Sequence, residues 1–155
     1  MNIPSLWILR VGDGENLRNS KYPFWGVKRG KNGSIKSIVT KMLIGDILCF
    51  MTSKQYGGKI IGMCEYTGFY DRKDEPLLQI NTKSNLEQQW TGDDSWDIQI
   101  HYNNFYVTEK QNIIACIQCG AIIMNYKTFK DKIDGDLYEH YKNFKFYAEP
   151  KAFQL

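Results

Sequence analysis

The pattern of apolar and polar residues predicts a chain built mostly of short strands. Continuous apolar runs rich in β-branched and aromatic residues predict largely buried strands at residues 5–11, 47–52 and 59–67. Residues 96–102 alternate instead, so one face of a further strand carries Trp96, Ile98, Ile100 and Tyr102. Shorter strands are expected at 104–107 and 113–117. Gly62, inside an apolar run, predicts a bulge or a close approach of two backbones.

Two segments have the spacing of a helix. Between residues 34 and 43 apolar side chains recur every three or four positions, and Ser34 is the expected N-cap. A second helix is expected to begin at Thr128, with Thr128 and Asp131 as a capping box, and to continue through Phe144 despite Gly135. The order of elements predicts an α+β fold, a curved, mostly antiparallel sheet or small open β-barrel with flanking helices.

The segment after the first strand is the most distinctive part of the sequence. Residues 12–16 form a polar, glycine-containing loop that ends in Asn16, and Trp25 follows in a Pro-Phe-Trp-Gly setting. An indole ring can stack on a nucleobase, and an amide side chain can hydrogen-bond the edge of that base. No Ser-His-Asp or Cys-His arrangement can be argued from the order of residues. We therefore predict a binding module and not an enzyme.

The stretch from Trp7 to Val27, the helix after it and the strands between Gly45 and Tyr66 resemble the first half of the YTH and EVE domains. These domains belong to the PUA-like group of small β-barrel nucleic-acid readers. YTH domains recognise N6-methyladenine through an aromatic cage, and EVE domains are implied to bind modified bases. The resemblance implies one domain over residues 1–155 that binds DNA or RNA carrying a modified base, flipped out or single-stranded, without a metal or cofactor.

Carried over by position, Asn16 falls where YTH domains keep an asparagine that touches the adenine, and Trp25 falls at the first cage tryptophan. The second cage tryptophan falls at Ile100, with Trp96 and Tyr102 on the same strand face as substitutes. The residues expected to contact the base are Asn16, Trp25, Gly26, Thr52, Ser53, Trp96, Ile100 and Tyr102. Phe69, Tyr70 and Trp90 are further candidates for the opposite wall, although core packing explains at least two of them.

The charge of the chain permits an anionic partner without requiring one, because the formal net charge is only +3. Basic residues nevertheless cluster around Trp25 and are expected to contact the phosphate backbone: Arg18, Lys21, Lys28, Arg29 and Lys31. A solvated basic loop is the alternative interpretation of this cluster.

Two other functions stay open. Gly12, Gly26 and Ile100 depart from the YTH pattern, so the same fold can serve as a protein-interaction or structural module with a degenerate pocket. A small hydrolase or nuclease would use acidic residues such as Asp93 and Asp94.

The remaining sequence features concern the cysteines and the cellular location. Cys116 and Cys119 form a lone C-x-x-C without a second pair of zinc ligands, so we expect ordinary buried thiols there. The other two cysteines, Cys49 and Cys64, are expected in the core. No signal peptide and no membrane-spanning run is evident, so an intracellular protein is expected.

Overall fold

A computed structural model describes residues 3–30, 37–71, 88, 90–91 and 97–153. Within these residues, six strands form one sheet: β1 (Leu6–Arg10), β2 (Phe24–Val27), β3 (Ile47–Met51), β4 (Ile60–Asp71), β5 (Ile98–Val107) and β6 (Ile123–Asn125). Their order is β2-β5-β4-β3-β1-β6. Neighbouring strands are antiparallel except for β1 and β3, which are parallel. The sheet curls into a half-barrel, which confirms the predicted α+β class and the curved, mostly antiparallel sheet.

In the part of the chain that the structure describes, the helices that flank the sheet are few and short. They are α1 (Glu15–Arg18), α2 (Ser37–Lys41), α3 (Tyr126–Phe129) and α4 (Leu137–Tyr147), and single 3₁₀ turns lie at Lys54–Tyr56, Glu109–Gln111 and Lys130–Lys132. Helix α2 lies inside the segment predicted as helical, while its predicted cap Ser34 lies outside the described residues.

The single helix predicted from Thr128 to Phe144 is wrong. Gly135 has a φ of 75°, which ends any helix at that point, and the Asp136 side chain begins α4 by accepting a hydrogen bond from the Tyr138 N–H at 2.9 Å. Asn125 caps α3 in the same way, accepting from the Lys127 N–H at 3.0 Å. The helical spacing of apolar residues was misleading because both separate pieces pack against the same core.

The sheet is covered on both faces, which explains the continuous apolar runs in its central strands. In β1, Leu6 and Ile8 belong to the core that Leu137 of α4 helps to form. Trp7 and Leu9 point to the opposite face and join a second core, inside the curl of the sheet. Leu17 of α1 and Val39 of α2 also belong to this second core, so helices pack against both faces of the sheet.

Close contacts and bulges produce the curl. Gly62 in β4 lies against the ring of Phe105 in β5, so that an added Cβ would stand 2.3 Å from the Phe105 Cζ. The group that approaches Gly62 is thus a side-chain ring. The bulge predicted from the glycine is confirmed, because the pairing of β3 with β4 shifts register between Phe50 and Met51, beside Gly62. The pairing of β4 with β5 also shifts register at two points, and such bulges increase the local twist.

Two of the shorter predicted strands differ in the structure. The runs at 98–102 and 104–107 belong to one strand, β5, in which Asn104 takes a left-handed φ of 50° without ending the strand. The strand predicted at 113–117 is wrong, because this segment forms only isolated bridges, one from Ile114 to Lys59 and one from Ala115 to Ile133.

Candidate functional site

The parallel pairing of β1 and β3 brings two loops to the same edge of the sheet. The Val11 N–H donates to the Met51 carbonyl at 2.9 Å, so the two strands end side by side. One step further, the Ser53 N–H donates to the Gly12 carbonyl at 2.8 Å. The loop after β1 and the loop after β3 are therefore held together, although they are far apart in sequence.

A cavity of about 410 Å³ opens beside this edge. The polar and aromatic residues and the glycines of its lining are Arg10, Gly12, Asp13, Asn16, Trp25, Gly26 and Lys28. The Asp13 carboxylate accepts a hydrogen bond from the Glu15 N–H at 3.0 Å. The structure thus brings Asn16, Trp25, Gly26 and Lys28 together, as the sequence placed them. The volume lies within the range of small-molecule sites.

Trp25 forms one wall of this cavity from strand β2. In the sheet, Trp25 pairs with Ile100 of β5. Its half-buried ring packs edge-on against the ring of Phe50, with centroids 6.4 Å apart. The ring of Trp90 lies 5.2 Å from the ring of Trp25 at an angle of 58°. At this separation the two rings are in direct contact and leave no room for a third ring between them.

Asn16 is engaged by Thr91 through both ends of its amide. The Asn16 Nδ2 donates to the Thr91 carbonyl at 3.1 Å, and the Asn16 Oδ1 accepts from the Thr91 N–H at 2.9 Å. This pair of bonds imitates the pairing of two strands. Asn16 therefore holds residue 91 and, through it, the neighbouring Trp90.

Gln88 and Trp90 fix the same segment to the loop before β2. The Gln88 amide donates to the carbonyls of Tyr22 at 2.8 Å and Phe24 at 2.9 Å, and it accepts from the Tyr22 N–H. The Trp90 indole N–H donates to the Ser20 Oγ at 2.8 Å. Sequence reasoning missed Gln88 and Thr91, because their partners lie about 65 to 75 residues earlier and no local pattern indicates the pairing.

The predicted cationic cluster separates into paired and exposed members. Arg18 donates to Glu109 and Glu15, and the hydrogen bond with Glu109 raises the pKa of the guanidinium. Arg29 is largely buried and bonds the carboxylates of Asp71 and Asp97.

Neither Arg18 nor Arg29 lines the cavity. Lys21 and Lys28 are exposed, and Lys31 lies outside the described residues. Among the described members of the predicted cluster, Lys28 lines the cavity. Arg10 joins it there and was missed, because the sequence shows it only as the end of an apolar strand.

Three predicted contact residues lie away from the cavity. Ile100 and Tyr102 are 0% and 2% exposed, and they pack inside the second core. Thr52 is equally buried, and its hydroxyl holds the β3–β4 loop by accepting from the Lys59 N–H at 2.9 Å. Trp96 lies outside the described residues. Ile100 and Tyr102 therefore do not supply a second aromatic wall for the cavity. The rings that pack against Trp25 in the described residues are Trp90 and, farther away, Phe50.

Ser53 faces a second depression of about 600 Å³ that adjoins the cavity. Arg10 lines both. The remaining lining comes from the β3–β4 loop and from the segment before β6, and consists of Lys54, Gln55, Ile117, Gln118 and Cys119. Two cations and two amide side chains thus surround this depression.

The cysteines fall into two classes. Cys49 and Cys64 lie in the core as predicted, and burial raises the pKa of both thiols. Cys116 is exposed and Cys119 is half-buried, so the expected burial of this pair is wrong for Cys116. Over the described part of the chain, no group of three or more histidine, cysteine or acidic residues is placed to hold a metal ion.

Two further expectations concern acidic residues and the membrane. Asp93 and Asp94, the acidic pair considered for hydrolysis, lie outside the described residues. Among the helices that the structure describes, none combines the length and apolar character needed to cross a bilayer.

Comparison with known proteins assigns no family. No family model matches the chain, and no curated protein matches its sequence. Among solved structures, a hypothetical protein from Leishmania major is similar at 12% identity, over 93% of this chain and 94% of that one, with a TM-score of 0.42. A protein from Pseudomonas putida is similar at 16% identity, over 78% of this chain and 91% of that one, with a TM-score of 0.40. Similarity at this level says nothing about function.

Proposed function

We propose that the protein binds DNA or RNA and accommodates one modified base, for example a methylated one, in the cavity beside Trp25. The position of Trp25 carries the proposal. Its half-buried ring is a wall of a cavity of base-accommodating size, beside the small Gly26 and residues 11–13. Lys28 and Arg10 at the same cavity supply positive charge for the phosphates.

The energies of these contacts determine how tightly the cavity can bind a base and how well it can distinguish a methylated base from an unmodified one. Stacking of a base on an aromatic side chain contributes about 1–3 kcal/mol. Burial of one methyl group contributes about 0.8 kcal/mol, which is only about fourfold discrimination. Stronger selection needs hydrogen bonds that the unmodified base leaves unpaired.

The pairing of Asn16 with Thr91 changes the role that we assign to Asn16. Because both ends of its amide are occupied, Asn16 positions Thr91 and Trp90 instead of reading the base edge. Trp90 then supports one side of Trp25 and leaves the cavity side for a base. Among the described residues, this arrangement gives the cavity one aromatic wall, Trp25.

The test is binding of matched oligonucleotides, modified and unmodified, in DNA and in RNA, measured by fluorescence anisotropy. Replacing Trp25 by alanine is expected to weaken binding about 5- to 150-fold, the equivalent of one lost stacking contact. Phe146→Ala is the matched control, because its ring is 79% exposed and lies on α4. A folded Trp25→Ala variant that binds as tightly as the wild type would contradict the proposal.

A protein-interaction or structural role is the second candidate, and one observation favours it. The amide of Asn16 is satisfied within the chain, and the ring of Trp25 is already covered on one side by Trp90. Binding that is absent, or weak and insensitive to every base modification, would favour this alternative.

A further inference from the structure

We infer that the depression beyond Arg10 holds the nucleotide next to the bound base, and that Arg10 contacts the phosphate that joins the two. This inference rests on the function proposed above and extends it from one base to a dinucleotide step. The observation behind it is that one guanidinium-bearing residue lines two adjoining depressions.

Arg10 differs from the other arginines near the site. Arg18 and Arg29 are each held by two carboxylates. Within the described residues Arg10 forms no ion pair, although it is half-buried at the end of β1. Its own N–H donates to the Ile122 carbonyl at 2.8 Å, which fixes its backbone between β3 and the segment before β6. A guanidinium without a carboxylate partner, on a residue whose backbone is fixed, suits a phosphate, which it binds through two parallel N–H groups.

The composition of the second depression suits a nucleotide. Its lining in the described residues contains Arg10 and Lys54 but no carboxylate, so its charge is complementary to a phosphodiester. Gln55 and Gln118 each offer an acceptor and two donors, the groups that a base edge requires. The Ser53 to Gly12 hydrogen bond keeps this depression and the Trp25 cavity at a fixed separation.

The test separates the base, the phosphate and the neighbouring base by lengthening the ligand. The probes are the nucleoside, the nucleoside monophosphate and the single-stranded dinucleotide of N6-methyladenine and of 5-methylcytosine, in deoxyribose and ribose forms, measured by calorimetry. The monophosphate is expected to bind about tenfold or more tightly than the nucleoside, as a charge-assisted contact would give. The dinucleotide is expected to gain further.

Variants assign each gain to a residue. Arg10→Gln is expected to abolish the ratio between monophosphate and nucleoside affinity, whatever its effect on the nucleoside itself. Gln118→Ala is expected to remove the gain from the second nucleotide and to bind the nucleoside as the wild type does, because Gln118 does not line the Trp25 cavity. Lys127→Ala is the matched control. Strand β6 is antiparallel to β1, so α3, which follows β6, lies beside the start of β1, whereas Arg10 lies at the end of β1. If Arg10→Gln does not fold, Arg10→Lys keeps the charge but loses the two-pronged contact and should lose part of the phosphate gain.

The outcomes distinguish this inference from the proposed function. Gains that persist in Arg10→Gln and Gln118→Ala, with nucleoside binding still weakened by Trp25→Ala, would overturn the dinucleotide inference and leave the base-binding function in place. Failure of all probes to bind would overturn both.

Discussion

Acidification from pH 7 to pH 4 is expected to destabilise the protein through His101. The ring of this residue stacks on Phe24 with centroids 5.2 Å apart and meets the edge of Tyr70 at 4.7 Å. One ring nitrogen lies 3.0 Å from the Gln99 Oε1. Burial among these groups lowers the pKa of His101 to about 4, since the charged imidazolium would lose its hydration.

The sign and size of this loss of stability follow from the protonation of His101 in the folded and in the unfolded protein. In the unfolded chain histidine takes up a proton near pH 6.5, whereas in the folded protein His101 stays neutral until about pH 4. Between these values the unfolded state binds more protons, so stability falls as the pH falls through this window. The full shift corresponds to about 3 kcal/mol at pH 4. Partial access of solvent to the ring reduces the expected loss to about 2–3 kcal/mol.

Urea unfolding between pH 7 and pH 4 measures this loss when the wild type is compared with His101→Phe. Phenylalanine keeps an aromatic ring between Phe24 and Tyr70 but cannot take up a proton. The carboxylates of Glu65 and Glu109, whose pKa values are lowered, add an acid sensitivity that both proteins share and that cancels in the difference. Wild type and variant with the same dependence on pH would refute the reasoning.

Two further substitutions test the curl of the sheet and the charge of the site. Gly62→Ala places a methyl group against the Phe105 ring and is expected to lower the free energy of unfolding by about 1–3 kcal/mol in urea denaturation, whereas Gly120→Ala, with open space around it, should change it by less than about 0.5 kcal/mol. Lys28→Ala is expected to reduce the slope of log K against log salt for oligonucleotide binding by about 0.7–0.9, whereas Arg18→Ala should leave it unchanged because carboxylates already hold that guanidinium. Equal effects within either pair would contradict the corresponding argument.

The sequence predicts the central strands well because their apolar pattern has a local cause. Strands β1, β3 and the first part of β4 are buried on both faces, so they appear as continuous apolar runs. Strand β2 is not predicted by the sequence pattern, because it has only four residues and follows Pro23. Its pairing partner is β5, which lies far along the chain, and no local signal carries that information.

Part of the candidate site could be predicted because some of its residues lie close together in sequence. Asn16, Trp25 and Gly26 lie close together in sequence, and they meet at the cavity. Arg10 and Trp90 join them through sheet pairing and through the Asn16–Thr91 bonds, which connect distant segments. Contacts of that kind depend on the completed fold and leave no periodic pattern in the sequence.

The position of β1 also determines when the site can exist during folding. Ile8 pairs with Cys49 on one side and with Met124 on the other. Strand β1 can therefore complete its pairing only after a segment roughly 115 residues later in the sequence has reached it. Such long-range closure is slow, and partly folded states lack the edge at which Arg10 meets Ile122. A ligand that binds across this edge therefore recognises only the completed sheet, and its binding would slow unfolding by fastening the last strand to the first.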